Sequence, residues 1–155
     1  MVTGASRGIG REISLALAAE GAKLALVGRD QEALAETARL TQGANAKIFK
    51  ADLRDEREIG EAVHSVHQTF QRVDVLVNAA GVWHDAQRKY QGPQLPDTPA
   101  EEINEVIEVG LRSAMLLSRL VLPGMIQRKG GKILQISCGF AGPHEARGWI
   151  HYYVT

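Results

Sequence analysis

The chain has 155 residues, 45% of them hydrophobic and 23% charged, which is enough for one domain with a hydrophobic core. Its 18 basic residues balance its 18 acidic ones, so neither nucleic acid nor an anionic membrane is an expected partner. The single cysteine, Cys138, excludes a disulfide framework, no apolar run reaches membrane-spanning length, and the N-terminus lacks the features of a signal peptide. We therefore expect a cytoplasmic protein in which residues 1–155 belong to one domain.

The first ten residues combine the end of an apolar strand, a glycine-rich turn and the start of a helix. Gly4, Gly8 and Gly10 have the spacing GxxxGxG rather than the commoner GxGxxG. Gly4 permits a tight turn, Gly8 lets the backbone approach a pyrophosphate closely, and Gly10 lets the following helix pack against the strand. That helix has a clear pattern from Arg11 and is stopped by Gly21, and its positive end would face the phosphates. The stretch predicts a phosphate-binding turn.

The second predicted strand, residues 23–28, completes a strand, helix and strand unit of the length that a dinucleotide fold needs. The acidic residue that would hold a ribose 2′-hydroxyl is absent after this strand, where Gly28 and Arg29 stand instead. A guanidinium there, with Arg7 in the glycine turn beside it, suits a 2′-phosphate, because arginine forms bidentate bonds to phosphate oxygens. The pattern favours NADP(H) over NAD(H); the alternative is that both arginines are solvated surface residues.

The rest of the chain continues to alternate predicted helices and strands. The elements are, in order, a helix over 31–40 capped by Asp30, a strand over 46–53, a helix over about 56–70, a strand over 73–78, a polar loop over 83–97, a long helix with Thr98 as cap and Pro99 as first helical residue, and a strand over 132–137. Pro123 and Gly124 are expected to disturb or end the long helix. This alternation predicts an α/β fold with a doubly wound parallel sheet, covered by helices on both faces.

Four motifs in this order resemble those of classical short-chain dehydrogenase/reductases, and the resemblance spans nearly the whole chain. The residues from Thr3 to Gly10 resemble the family's TGxxxGxG motif. The others are Asp52-Leu53, where the family's aspartate contacts the adenine, Asn78-Ala79-Ala80-Gly81, which resembles NAAG, and Tyr152-Tyr153-Val154-Thr155, which resembles the opening of YxxxK. The first three lie at the carboxyl ends of predicted strands, where open α/β sheets bind ligands.

The resemblance implies a Rossmann-like sheet with strand order 3-2-1-4-5, whose later strands lie beyond this chain. It also implies hydride transfer between NADP(H) and a carbonyl or secondary alcohol, with Tyr152 as acid/base catalyst. The residues it implies for cofactor binding are Gly4, Ser6, Arg7, Gly8, Ile9, Gly10, Arg29, Asp52, Leu53, Asn78, Ala79 and Gly81. A metal site is not expected, because His64 and His67 share a helical face without a third ligand.

Several positions depart from the family pattern. Gly110 replaces the asparagine of the long helix, and either Cys138 or Gly139 stands where the family has its serine. Tyr153 is the rival to Tyr152, and the lysine of the motif would follow Thr155. A non-catalytic dinucleotide-binding or scaffold protein, or an inactive fragment, therefore remains the alternative.

Two further expectations concern the surface. The fifth strand, residues 133–136, should be an uncovered apolar edge, because later strands would cover it in a complete sheet. The full-length protein is expected to be a homo-oligomer, since the family's usual dimer interface draws on the long helix and on the helix that follows Tyr152.

Overall fold

The computed structural model describes residues 1–42, 45–82 and 95–137. Its sheet has the order β3-β2-β1-β4-β5, and every neighbouring pair is parallel, so the predicted order is confirmed. The strands are β1 (Val2–Thr3), β2 (Leu24–Gly28), β3 (Ala46–Lys50), β4 (Val75–Asn78) and β5 (Lys132–Gln135).

Helices connect these strands and lie on both faces of the sheet. Those described are α1 (Gly8–Ala19), α2 (Gln31–Leu40), α3 (Glu56–Phe70), α4 (Ala100–Val106) and α5 (Ser113–Gln127), with a π-helical turn (Ile107–Arg112) that joins α4 and α5 into one long helix and a short 3₁₀ turn (Leu95–Asp97) before it. The predicted bounds of α2 and α3 agree with the structure. Asp30 caps α2 as predicted, because its side chain accepts a hydrogen bond from the Ala33 N–H at 2.9 Å.

The hydrophobic core has two layers, one on each face of the sheet. Successive strand residues point to opposite faces, so β2 and β4 contribute to both layers. Helices α1 and α2 cover one layer, whereas α3 and α5 cover the other. The first layer contains Val2, Leu24, Leu26, Leu34 and Val77, and the second contains Ala25, Val27, Ile59, Val63, Leu76, Leu117 and Val121.

The long helix differs from its prediction at both predicted boundaries. Pro99 has extended backbone, so the first helical residue is Ala100, one position later than expected. Pro123 does not end the helix, which continues to Gln127. A proline inside a helix removes one backbone hydrogen bond, and here burial of Val121 and Met125 on either side of it holds the helix against the sheet.

Two strands also end earlier than predicted, and β4 begins at Val75 rather than at residue 73. The third strand ends at Lys50 rather than at residue 53, because Asp52 and the residues after it turn toward the cap of α3. The fifth ends at Gln135. In the described part of the chain β5 pairs only with β4, and Leu134 and Ile136 are 43% and 40% exposed, which confirms the expected apolar edge.

Candidate functional site: a dinucleotide cradle at the carboxyl edge of the sheet

The predicted binding segments meet at one edge of the sheet. The glycine turn follows β1, Arg29 follows β2, Asp52 follows β3, and Asn78 is the last residue of β4. Because all the strands are parallel, these four carboxyl ends lie side by side. Strand order reverses at β1, which lies between β2 and β4. Ligands of open α/β sheets bind at such a crevice.

Each glycine of the turn has a different physical role. Gly4 (φ +64°) lies so close to the segment after β4 that an added Cβ would be 2.8 Å from both the Ala79 oxygen and the Ala80 Cα. A Cβ on Gly10 would be 2.3 Å from the Gly4 carbonyl oxygen, so α1 packs directly on the turn. Gly8 (φ +54°) has nothing within 4 Å of its Cβ position among the described residues. The open face at Gly8 is therefore where a ligand can approach the backbone.

The N-terminus of α1 leaves room for an anion. Within the described ranges its first turn has no acidic residue, and no side chain caps it. The first N–H groups of the helix, which lack intrahelical partners, and the positive end of the helix dipole therefore have no carboxylate from their own turn beside them. Ile9 in this first turn is 61% exposed, so its side chain is accessible to a bound molecule. These features fit a pyrophosphate.

Thr3 connects β1 to the segment after β4, and this role was not predicted from the sequence. Its side chain is buried, and Oγ1 accepts hydrogen bonds from the N–H groups of Ala79 and Ala80, each at 3.2 Å. The same hydroxyl donates to the Val77 carbonyl at 3.5 Å. A polar residue at the end of an otherwise apolar strand was the available signal, since a buried hydroxyl needs partners.

Helix α2 holds the other side of the glycine turn, which was also not predicted. The Arg11 guanidinium donates to the Ser6 carbonyl and, at 3.0 Å, to the Thr37 hydroxyl. Thr37 is fully buried and donates to the Ala5 carbonyl at 2.9 Å. Two carbonyl groups of the turn are thus bound by protein donors, which fixes the backbone that would contact the phosphates.

Asn78 is buried at the end of β4 and is only partly satisfied. Its Nδ2 donates to the Ala114 carbonyl on the long helix at 3.5 Å, whereas Oδ1 has no partner among the described residues. An unpaired buried acceptor is costly, and a ligand that brings a donor would satisfy it. Ala79 is half-buried beside it and Gly81 is exposed, with none of the described residues within 4 Å of its Cβ position.

The π-helical turn is the part of the long helix that ends shortly before Ala114, and it contains Gly110. Such turns are rare and often lie at functional sites. Gly110 is the position where the resemblance implies an asparagine, so in this chain the π turn forms without that side chain. This π turn was not predicted.

The carboxylate of Asp52 is hydrogen-bonded to the side chain of Arg54. Arg54 donates to both carboxylate oxygens of Asp52, with Nε 3.1 Å from each. This hydrogen-bonded guanidinium is the main cause that lowers the pKa of Asp52, so the carboxylate is charged at neutral pH. The Leu53 side chain packs into the core, which leaves only its backbone for a ligand.

Arg29 and Arg54 both approach Glu105 of α4. The nearest nitrogens are 4.0 Å and 3.7 Å, respectively, from the same Glu105 oxygen. Neither Glu105 nor Arg54 was among the predicted site residues. For Glu105 the reason is that nothing in the local sequence relates residue 105 to the end of β2. Arg7 is exposed at the start of α1.

The predicted catalytic positions Tyr152, its rival Tyr153, Cys138 and Gly139 lie outside the described residues. Across residues 1–42, 45–82 and 95–137, no group of three or more His, Cys, Asp or Glu is placed to hold a metal ion.

A parallel sheet with a glycine turn at its switch point and an open helix N-terminus defines a dinucleotide-binding fold of the Rossmann type. The short chain dehydrogenase family model matches residues 1–154, and the chain belongs to this family.

Relatives and solved structures agree with that assignment. The chain is 36% identical over 143 residues to mouse dehydrogenase/reductase SDR family member 7B, covering 88% of this chain and 42% of the relative. It is 35% identical over 139 residues to D-beta-hydroxybutyrate dehydrogenase of Cupriavidus necator, covering 88% of this chain and 51% of the relative. The chain thus spans about half the length of these curated relatives.

A metagenomic short-chain oxidoreductase solved in complex with NADP superposes with a TM-score of 0.88 at 35% identity, covering 99% of this chain and 67% of that one.

Proposed function

We propose that this chain is the cofactor-binding part of an oxidoreductase that transfers a hydride between NADP(H) and a carbonyl or secondary alcohol substrate. The observation that carries the proposal is the glycine turn: Gly8 is open, and the N-terminus of α1 behind it has no acid in its first turn in the described chain. Family membership and the similarity to an oxidoreductase solved with NADP support it.

The proposed binding groups divide by the part of the cofactor that they would hold. The glycine turn and the start of α1 would hold the pyrophosphate, Arg29 and Arg7 the 2′-phosphate, Asp52 and Leu53 the adenine, and the segment after β4 the adjoining ribose. In chain order these residues are Gly4, Ser6, Arg7, Gly8, Ile9, Gly10, Arg29, Asp52, Leu53, Asn78, Ala79 and Gly81.

Tyr152 is proposed to exchange the proton at the substrate oxygen. When bound, the cofactor supplies or accepts the hydride at its nicotinamide ring. A phenol has a pKa of about 10 and is a poor base at neutral pH unless nearby positive charge favours the phenolate. Tyr152 therefore needs a cation beside it in the complete site.

We expect the protein to bind NADPH more tightly than NADH, and Arg29→Asp to reverse this order. Loss of charge-assisted hydrogen bonds to the 2′-phosphate, together with the new carboxylate, should weaken NADPH binding by about 10- to 100-fold and leave NADH binding nearly unchanged. Calorimetric titration with each dinucleotide measures both affinities.

The matched control for this test is Lys23→Asp. Lys23 is exposed and precedes β2, at the strand's opposite end, so the variant makes the same change in charge away from the site. It should leave the order of affinities intact. Equal binding of NADPH and NADH by the unaltered protein would contradict the proposed cofactor preference.

A non-catalytic dinucleotide-binding protein is the second candidate. It is favoured by Gly110 in the long helix, where the family pattern has asparagine, and by Cys138 or Gly139 in place of serine. Neither cysteine nor glycine replaces a hydroxyl donor well at a developing oxyanion. A folded protein that binds NADPH but reduces no member of a panel of ketones and aldehydes would favour this candidate.

The outer face of the long helix supports the proposal that the protein is a homo-oligomer. Five large apolar side chains are exposed along one stripe, at Ile107, Leu111, Met115, Leu122 and Ile126. The helix Ala100–Gln127 is long and apolar enough to cross a membrane, with a mean hydropathy of 1.4 over a window that is 33% buried, but one such helix is weak evidence because a core helix can have the same length and composition. The stripe suits a second copy of the chain.

We expect Met115→Lys to dissociate the oligomer. Met115 is 64% exposed near the middle of the stripe, and a charge there would have to be desolvated in an apolar interface. Analytical ultracentrifugation should show a shift toward monomer, with at least about a tenfold increase in the dissociation constant. Gln68→Lys on the exposed face of α3 is the control and should leave the mass unchanged. A monomeric unaltered protein would contradict the proposal.

A further inference from the structure

The charged groups beside the proposed 2′-phosphate site form a cluster. Arg29 and Arg54 each approach the same oxygen of Glu105, and Arg54 also binds Asp52. The residues come from the segments after β2 and β3 and from α4. Among the described residues, two guanidiniums thus contact two carboxylates.

Glu105 has the least exposed side chain in this cluster. Its side chain is 12% exposed, whereas those of Arg29 and Arg54 are 53% and 43% exposed. A carboxylate with so little contact with water depends on neighbouring positive charge, while both arginines can still reach a ligand from the solvent side. Glu108 adds a more distant negative charge that acts on Arg54.

A 2′-phosphate that binds Arg29 would therefore enter a site that already contains an anion. It would share the guanidinium with Glu105 and would be repelled by the carboxylate across a few ångströms. The ribose 2′-hydroxyl of NAD(H) is uncharged and would experience no such repulsion. The effect of Glu105 thus differs between the two dinucleotides.

We propose that Glu105 is a specificity-determining residue, which competes with the cofactor's 2′-phosphate for Arg29 and Arg54 and so limits the preference for NADP(H). Arg54 is then a second cation of the 2′-phosphate site. The inference rests on the proposed function, and it assigns to α4 a part in cofactor selection that the segments after β2 and β3 do not supply alone.

The test measures affinities rather than turnover. In Glu105→Gln the carboxylate is lost, the side-chain shape is kept, and the cluster gains one net positive charge. NADPH binding should tighten by about tenfold while NADH binding changes by less than about twofold. The fragments 2′,5′-ADP and 5′-AMP, titrated by calorimetry, should show the same difference, because they differ in the 2′-phosphate only.

Two further variants separate competition from a general effect. Glu101→Gln removes the same charge from an exposed position of α4 and should leave the NADPH to NADH ratio unchanged. Glu105→Asp keeps the carboxylate but shortens the side chain by one methylene. Its ratio of NADPH to NADH affinity should fall between those of the unaltered protein and Glu105→Gln. This second variant retains the charge and serves as the test if Glu105→Gln does not fold.

The outcomes distinguish this inference from the proposed function. If NADPH is preferred and Glu105→Gln leaves the ratio unchanged or lowers it, Glu105 does not compete with the phosphate and the inference is wrong, although the cofactor proposal stands. A loss of affinity that is equal for both dinucleotides would assign Glu105 a purely structural role. If the folded protein binds neither dinucleotide, both proposals fail.

Discussion

Gly10→Ala is expected to destabilise the protein by about 3 kcal/mol and to abolish dinucleotide binding. An added Cβ would lie 2.3 Å from the Gly4 oxygen and 2.7 Å from the Gly4 carbonyl carbon, and both atoms belong to backbone. No side-chain rotation relieves such a clash, so α1 must move away from the turn. The helix N-terminus would then no longer face the position of the pyrophosphate. Chemical denaturation measures the first effect and calorimetric titration with NADPH the second.

Gly60→Ala provides the matched control. Gly60 lies within α3, and nothing described lies within 4 Å of its Cβ position. The same substitution should stabilise the protein there by about 0.5–1 kcal/mol, because alanine loses less backbone entropy in a helix. A Gly10→Ala protein as stable as the unaltered one, with NADPH affinity retained, would show that the turn and α1 are not packed as the structure has them.

Thr3→Val should lower the free energy of unfolding by about 2–3 kcal/mol. Valine has nearly the same shape and suits a strand, so the cost arises from the hydroxyl alone. Oγ1 accepts from the N–H groups of Ala79 and Ala80 and is itself buried. Without it the segment after β4 loses its connection to β1, and we expect NADPH affinity to fall with stability.

Thr3→Ser distinguishes the hydroxyl from the methyl group. Serine keeps the acceptor and should recover most of the NADPH affinity, although removal of one buried methyl group costs about 1 kcal/mol. Equal NADPH affinities of the valine and serine variants would mean that the hydrogen bonds to Ala79 and Ala80 do not position this segment.

The predicted elements that agree best with the structure are those with strong local signals. Asp30 precedes a regular apolar pattern and caps α2 as expected, because a cap needs only its own residue and the next turn. The long helix was predicted less well. A local rule stops a helix at proline, whereas burial of the residues around Pro123 against the sheet, a tertiary effect, carries this helix on to Gln127.

The residues of the candidate site also fall into two groups, those that a local pattern predicts and those that only tertiary packing brings together. Gly4, Gly8 and Gly10 were identifiable because a phosphate-binding turn restricts backbone geometry within a few consecutive residues. Thr37 was not identifiable: it lies on the next helix of an ordinary amphipathic pattern, and only the packing of α2 brings its hydroxyl to the Ala5 carbonyl. The predicted environment of Arg29 was incomplete for the same reason, because Glu105 approaches Arg29 from a helix that is distant in the sequence.

The sequence by itself determined the glycine turn, the alternation of strands and helices, the parallel sheet and the motifs that resemble the family, and that resemblance in turn implied the strand order. Each of these depends on short-range geometry, on hydrophobic periodicity or on motifs in a set order. Only the tertiary structure decided that Thr3 joins β1 to the segment after β4 and that Glu105 lies between two arginines. These contacts join residues far apart in the chain, and their energies depend on distance and burial, which a linear pattern does not contain.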